Sequence, residues 1–289
     1  MNRRDMLRWM GCSFLSSIYP IRAMARNDRK PNVIVILSDD AGYADFGYHG
    51  VELALKSADD VSGSDLTRWL SKSNLEVSCI STGQVFAVLD LYFTHPDQDS
   101  RKELIKVFKG LISLAKDFGR LVNVGRTRGY YSDDQSRDEV ERLFAETSEQ
   151  LCDIAAPAGV TIIIEPVNRY EINFVNSLDE GAALLSRIDR KNIGLMPDVF
   201  HMNIEDAQVG GNLARYGEYV KYVHFADSNR LAPGQGHLDF DDVFDGLKRG
   251  GFDGWASIEI LPKPDPDTAA RQAASFILPR IEAYNRASG

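Results

Sequence analysis

The sequence predicts an α/β protein built as a (β/α)8 barrel, the TIM-barrel architecture, with an atypical first βα unit. Three observations predict this fold. After residue 50, short apolar runs alternate with long amphipathic segments, as in parallel βαβ units. The runs are continuously apolar, which is typical of strands buried on both faces. The length of 289 residues suits one large barrel.

Seven predicted strands follow residue 50. They are VELAL (51–55), LEVSCIS (75–81), LVNVG (121–125), VTIIIE (160–165), IGLMPD (193–198), YVKYVHFAD (219–227) and WASIEI (255–260). Amphipathic patterns predict helices near 64–72, 98–118 and 135–158. A closed barrel of this type needs an eighth strand.

The segment NVIVILS (32–38) has the β-branched, apolar composition of a buried strand, and we expect it to supply the first strand, parallel to 51–55. Only residues 39–50 join these two segments, whereas a parallel crossover normally needs a dozen or more residues and usually a helix. The first helix is therefore predicted to be missing. The alternative is an open barrel with exposed edges.

Residues 1–25 differ from the rest of the chain. They contain paired arginines, a short apolar stretch and an Ala-x-Ala end at 23–25, so they resemble a twin-arginine export signal cleaved after Ala25. This interpretation predicts a periplasmic or exported protein. The alternative is an N-terminal helix that stays attached to a cytoplasmic protein.

Composition makes some partners unfavourable. The net charge is -9, and an acidic surface repels phosphate backbones, so we expect no nucleic-acid partner. The three cysteines show neither metal-binding spacing nor a disulfide framework. No later segment is apolar over the length of a bilayer span.

The carboxyl ends of the last four predicted strands carry polar side chains. These are Glu165, Asp198, His224 and Glu259. Reacting groups of such barrels lie at this end of the strands, so the four side chains are expected to converge at one mouth. Three carboxylates and one imidazole form an oxygen-rich set that suits one divalent ion, Mn²⁺ first, with Mg²⁺ or Co²⁺ as alternatives. A strand-end Glu is usually solvated and a lone His is usually structural, but four agreeing strand ends favour a site.

Four longer motifs, in order, contain these residues. They are EPVNRYEINFVN (165–176), DVFHMNIED (198–206), HFADSNRLAPGQGHLDF (224–240) and SIEI (257–260). Together they resemble the xylose-isomerase-like superfamily of TIM barrels, and within it the ketose 3-epimerases and related sugar isomerases, from about residue 48 to 285. The resemblance implies a metal-dependent sugar epimerase or isomerase with a small-molecule sugar as substrate. Self-association into a homo-oligomer is compatible with it.

The resemblance also implies residue roles. The four strand-end residues named above match the metal ligands. Glu165 and Glu259 also match the acid/base pair on opposite faces of the substrate, while Glu171, His201 and Arg230 match residues that hold its oxygens. A bound cation polarises a ketone and its neighbouring hydroxyl, and a carboxylate then removes the weakly acidic proton to give an enediolate. Return of the proton to the same carbon epimerises it, and return to the neighbouring carbon moves the carbonyl.

The stretch PNVIVILSDDAGYADFGYHG (31–50) resembles a different family, the start of sulfatases, in which Asp39 and Asp40 would help to bind calcium. The Cys/Ser-x-Pro-x-Arg motif of that chemistry is absent from the chain, so we interpret residues 26–50 as a graft without sulfatase activity, preceding a barrel at 51–289.

Two alternatives to a sugar epimerase remain. One is an inactive or unstable chimera, because the first βα unit is altered. The other is a DNA-repair endonuclease of the same superfamily, which is disfavoured because that class binds several zinc ions through many histidines and the chain has five.

Overall fold

The computed structural model describes residues 18–20 and 46–287. The strands are β1 (Ile18–Pro20), β2 (Gly50–Ala54), β3 (Glu76–Ser81), β4 (Leu121–Val124), β5 (Thr161–Ile164), β6 (Ile193–Leu195), β7 (Tyr222–Phe225) and β8 (Trp255–Ile258). The helices are α1 (Gly63–Ser73), α2 (Gly83–Leu89), α3 (Gln98–Asp117), α4 (Arg137–Ala155), α5 (Leu178–Leu185), α6 (Val199–Glu205), α7 (Val209–Arg215), α8 (Phe240–Arg249) and α9 (Pro266–Ala287).

The strands form the parallel wall of a TIM barrel, which confirms the predicted fold class. Strands β2 to β6 pair in parallel in chain order, and β7 pairs in parallel with β8. Two isolated parallel bridges, Leu195 with Val220 and Asp198 with His224, join β6 to β7. Each of the seven strands predicted after residue 50 corresponds to one of β2 to β8.

The other edge of β8 pairs with β1, which runs antiparallel to it and lies alongside β2. Strand β1 belongs to the segment predicted as an export signal. The strand predicted at 32–38 lies outside the described residues, as do residues 31–45 of the sulfatase-like segment. Both therefore stay predictions.

Amphipathic helices cover the outside of the barrel wall. Helices α3 and α4 coincide with the predicted patterns at 98–118 and 135–158. Each begins at a side chain that accepts a backbone N–H of its first turn, Asp97 for α3 and Ser136 for α4, which satisfies donors that a helix end leaves unpaired. Their apolar stripes, including Phe108 and Phe144, are buried against the strands.

The strand interiors form the core. Residues such as Leu53, Ile80 and Ile163 are fully buried, because the parallel strands lie between the barrel interior and the helices. The carboxyl ends of all the parallel strands therefore open at one mouth, where the loops carry the polar side chains. Within the described part of the chain, no helix combines the length and the hydropathy that a membrane span requires.

Candidate metal centre

All four predicted strand-end residues lie at the mouth of the barrel. Glu165 directly follows β5, and its amide donates to the carbonyl of Val124. Glu259 directly follows β8, and its amide donates to the carbonyl of Phe225. The sheet ladder thus continues one residue past each strand and fixes the backbone of both glutamates.

The backbones of the other two strand-end residues, Asp198 and His224, are also held by hydrogen bonds. Asp198 caps the start of α6, and its carboxylate accepts the amide of Phe200 at 2.9 Å. His224 lies within β7, and its amide donates to the carbonyl of Pro197 at 2.9 Å. Because their backbones are held by strands and a helix start, the side chains are placed with little freedom.

One ligand atom from each of Glu165, Asp198, His224 and Glu259 lies within 4.8 Å of the others. Glu165, Asp198 and His224 are buried, and Glu259 is nearly so. Gly125 permits this packing, because a Cβ there would lie 2.9 Å from Oε2 of Glu165. The centre therefore concentrates three carboxylates in a space from which water is largely excluded.

The electrostatics reflect this crowding. Burial raises the pKa of Asp198 to about 7, and the negative charge of Glu259 acts in the same direction. Burial also opposes ionisation of Glu259, but the guanidinium of Arg230 and the imidazole of His224 outweigh it and hold the Glu259 pKa below its ordinary value. Carboxylates packed this closely require a cation nearby.

In this structure the cation is the guanidinium of Arg230. Its Nη2 donates to Oε2 of Glu259 at 2.6 Å, and its Nη1 donates to Oδ2 of Asp198 at 3.2 Å. The guanidinium also lies over the ring of Phe200, with its carbon 4.6 Å from the centroid. Arg230 has a left-handed backbone, φ 59°, so its loop must be held in place by other contacts.

Asp227 provides those contacts. Its fully buried carboxylate accepts the backbone amides of Ser228, Gly234 and Leu238 at 2.7 to 3.1 Å. Burial would raise the pKa of Asp227, but these amides outweigh it and lower the pKa. One anion thus closes the loop that carries Arg230.

The residues predicted to bind the sugar oxygens lie at different distances from the four candidate ligands. His201 is buried, and its Nε2 lies 3.7 Å from Oδ2 of Asp198. Burial, with the charge of Arg230, lowers the His201 pKa well below its ordinary value, so the ring is neutral. Glu171 is farther out and 41% exposed, with Oε1 4.0 Å from Nδ1 of His201. The structure therefore brings His201 and Arg230 into contact with the centre and places Glu171 at its rim.

Asn168, which was not predicted from the sequence, links His201 to Glu171. Its amide nitrogen lies 2.7 Å from Nδ1 of His201 and donates to Oε1 of Glu171 at 3.2 Å. The ring of His201 thus lies between this amide at Nδ1 and Nη1 of Arg230, 3.4 Å from Nε2. Asn168 lies inside the motif EPVNRYE, so its position in that motif was an available signal.

Buried polar residues on the strands were missed as well. Asn123 on β4 donates to Oε2 of Glu165 at 3.4 Å. Glu52 on β2 is 1% exposed and lies 3.1 Å from Nε2 of His224. The signal for both is a polar residue within a continuously apolar strand, since such a residue is costly to bury without a partner.

Arg128 is a third buried group that the sequence reasoning missed. It is fully buried and donates to the carbonyls of Phe174, Gly125 and Val175 at 2.7 to 2.9 Å, while burial lowers its pKa to about 10. It thereby ties the end of β4 to the loop after β5. No short motif indicates this role.

The donor set fits a divalent cation. Three carboxylates and one imidazole supply hard oxygen ligands and one nitrogen, and both cysteines in the described part of the chain, Cys79 and Cys152, lie outside the set. Burial raises the pKa of Asp198, and a metal ion beside its carboxylate would favour the ionised form. The four side chains are therefore a candidate site for a divalent metal.

Comparisons with known proteins agree with this geometry. The ketose 3-epimerase of Arthrobacter globiformis is 37% identical over 105 residues, 36% of this chain and 36% of that protein. The L-ribulose 3-epimerase of Mesorhizobium japonicum is 32% identical over 151 residues, 51% and 50% of the two chains. These alignments thus span from about a third to a half of the relatives' length.

A solved structure and a family model extend the likeness over most of the chain. A structure of L-ribulose 3-epimerase superposes with a TM-score of 0.75 at 26% identity, covering 86% of this chain and 89% of that chain. The family model described as a xylose isomerase-like TIM barrel matches residues 42–280. Since this match covers far more than half of the sequence, the protein belongs to the family of xylose isomerase-like TIM barrels.

Proposed function

We propose that the protein is a divalent-metal-dependent sugar isomerase or epimerase that acts on a keto-sugar. The observation that carries the proposal is the convergence of Glu165, Asp198, His224 and Glu259 at the barrel mouth. The names of the relatives, ketose 3-epimerase and L-ribulose 3-epimerase, support the same substrate class. A guanidinium and a neutral imidazole beside the carboxylates add the donors that sugar oxygens require.

We assign the four converging side chains as ligands of one ion, with Mn²⁺ first and Mg²⁺ or Co²⁺ as alternatives. When bound, the ion would polarise a carbonyl and a neighbouring hydroxyl of the sugar. Arg230 and His201 would then donate hydrogen bonds to sugar oxygens. Glu171, at the rim, would accept one from a hydroxyl. Their contacts orient the carbon that bears the weakly acidic proton.

Glu165 and Glu259 are the proposed acid/base pair. One carboxylate, which begins ionised, removes the proton next to the ketone to give an enediolate. The other, which begins protonated, returns its proton from the opposite face, and this inverts the centre. Proton transfer by a positioned carboxylate typically contributes about 10²–10⁴-fold to the rate. Return of the proton to the neighbouring carbon would instead give an isomerase.

The pair can be tested by replacing each glutamate with glutamine. We expect Glu165→Gln and Glu259→Gln, each assayed in excess Mn²⁺, to lose proton exchange between solvent and a keto-sugar, measured by NMR. Glu171→Gln is the matched control, because it removes a carboxylate at the rim and should weaken sugar binding more than it slows exchange. Near-normal exchange in either of the first two variants would exclude that residue from proton transfer.

The two alternatives predict different outcomes. An inactive or unstable chimera would bind no stoichiometric metal and would melt at low temperature. A DNA-repair endonuclease would bind abasic DNA. The candidate metal group within the described residues contains one histidine, which does not favour a multi-zinc site.

For the N-terminus we propose a twin-arginine-type signal in residues 1–25 and delivery outside the cytoplasm, as the sequence motif indicates. Cleavage after Ala25 would also remove β1, the strand paired with β8. Mass spectrometry of the protein from its native host is expected to show a chain that begins at Arg26. An intact N-terminus found only in the cytoplasmic fraction would contradict the export proposal and support the cytoplasmic alternative.

A further inference from the structure

Glu52 is a carboxylate in the middle of β2 and is shielded almost completely from water. Its side chain is 1% exposed, and its neighbours along the strand, Val51 and Leu53, are buried apolar residues. Burying an ionisable group in such a strand is costly unless it is paired and hydrogen-bonded. The group therefore requires a role, and the proposed acid/base and ligand assignments do not include it.

The contacts of Glu52 converge on a single oxygen. Its Oε2 lies 3.1 Å from Nε2 of His224 and accepts the hydroxyl of Tyr222 at 2.9 Å. The Tyr222 hydroxyl in turn lies 3.2 Å from Oγ of Ser78. The other oxygen, Oε1, is buried and makes no hydrogen bond with the described residues. The interaction with the imidazole thus falls on one well-fixed atom.

The two nitrogens of His224 face in different directions. Nδ1 points into the cluster of proposed ligands, 3.2 Å from Oε2 of Glu259 and 3.5 Å from Oε1 of Glu165. Nε2 points away from the cluster, toward Glu52. An imidazole can bind a metal through one nitrogen only if the other nitrogen carries the proton. A carboxylate at Nε2 selects that tautomer.

We infer that Glu52 is the positioning residue of the metal centre: it accepts the Nε2 proton of His224 and so leaves Nδ1 free to bind the cation. This inference rests on the proposed metal site and deepens it. The carboxylate fixes the plane of the ring and increases the basicity of Nδ1, and partners of this kind typically account for about 10–100-fold in metal affinity. Glu52 lies outside the candidate ligand set and contacts His224, a member of that set, so it acts through His224.

A structural role is the competing explanation, because Glu52 also connects β2 to β7 through Tyr222. The two explanations separate in a matched set of variants. Glu52→Ala and the isosteric Glu52→Gln remove the anionic partner of His224, whereas Tyr222→Phe removes only the other hydrogen bond to the same oxygen. A purely structural role would lower the melting temperature in all three and leave the metal affinity of the folded protein unchanged.

The test measures Mn²⁺ binding to the full-length, metal-stripped protein by electron paramagnetic resonance of the free ion. We expect Glu52→Ala to weaken binding by about tenfold or more, Glu52→Gln to weaken it less because its amide oxygen still accepts a hydrogen bond, and Tyr222→Phe to bind like the wild type. Affinities of both Glu52 variants equal to that of the wild type would overturn the inference. Should Glu52→Ala fail to fold, the position of the His224 proton in the wild type decides the outcome.

A second readout does not depend on affinity. In ¹⁵N-histidine spectra of the Mg²⁺-saturated wild type, assigned with His224→Ala, the His224 proton is expected on Nε2. A proton on Nδ1 would refute the role of Glu52 while leaving the metal site intact. If instead the His224→Ala protein binds Mn²⁺ as tightly as the wild type, the proposed metal site itself is wrong, and the two failures are thereby distinguished.

Discussion

At the scale of single residues, the chemistry depends on where charge is buried and what compensates it. Asp198 and Glu259 are buried carboxylates in contact with the same guanidinium, yet their pKa values shift in opposite directions. The reason is the hydrogen-bonded contact of Glu259 with both Arg230 and His224. The same guanidinium thus outweighs burial at Glu259, whereas burial dominates at Asp198.

His224→Ala tests the nitrogen ligand directly. We expect Mn²⁺ affinity to fall sharply, because only one imidazole is available among the four candidate ligands. The barrel should stay folded, since the backbone of β7 keeps its ladder. Metal analysis with circular dichroism checks both statements. Stoichiometric tight binding by this variant would remove His224 from the site.

Asp206 provides a pH test away from the metal centre. Burial raises its pKa to about 6, the nearby carboxylates add to this, and Oδ2 makes no hydrogen bond with the described residues. Since the folded pKa exceeds the unfolded value of about 3.9, the folded state binds more protons, and its stability falls as the pH rises from about 4 to about 6.

Asp206→Asn should therefore increase the free energy of unfolding at pH 8, by about 1–2 kcal/mol because part of the side chain stays solvated. The gain over the wild type should shrink toward pH 4. Urea unfolding at several pH values measures it, and Asp133→Asn, an exposed loop position, is the control. A gain that does not depend on pH would show that the charge of Asp206 is not its cause.

At the scale of elements, the loop after β7 determines where Arg230 lies. Asp227 anchors this loop through the backbone amides described above, and Arg230 follows in a left-handed conformation. Because the pKa of Asp227 is lowered on folding, its contribution to stability is present above pH about 4 and is lost as the pH falls through the folded pKa.

Asp227→Asn should displace the loop, because an amide NH₂ would face at least one backbone N–H. We expect kcat/KM for the sugar to fall by about tenfold or more, since small displacements of a positioning group cost this much. Ser228→Ala is the control: it loses the two hydrogen bonds of its hydroxyl with the amide and ring of His237 but keeps the Asp227 carboxylate, so it should change kcat/KM much less. Equal effects of the two substitutions would contradict the anchoring role of Asp227.

Much of this arrangement was predictable from the sequence. The apolar runs located β2 to β8. Because the carboxyl ends of parallel strands meet at one mouth of the barrel, the four candidate ligands were expected to lie together. Glu52 and Asn123 were not predicted, because a strand pattern shows that a polar residue is buried but not which partner crosses the barrel interior. Asp227 was missed for another reason: its partners are backbone amides, which have no sequence signature.

At the scale of the whole molecule, metal binding and folding stability should be linked. A ligand at about 100 times its Kd stabilises the folded state by about 2.7 kcal/mol, provided that the unfolded chain does not bind it. Saturating Mn²⁺ should therefore raise the melting temperature by several degrees, by relieving repulsion among the three carboxylates. Differential scanning calorimetry measures the shift, and the shift should vanish in the His224→Ala protein. An unchanged melting temperature at saturating Mn²⁺ would show that the ion does not bind the folded centre.

The central claim is that a bound divalent ion and two glutamates move a proton on a keto-sugar. The most direct measurement follows incorporation of solvent deuterium next to the carbonyl of free keto-sugars by NMR, with protein that is metal-stripped and then reloaded with Mn²⁺. We predict incorporation with the reloaded protein and none with the metal-stripped protein. Incorporation at the same rate without metal, or none with any keto-sugar despite stoichiometric Mn²⁺, would contradict the account.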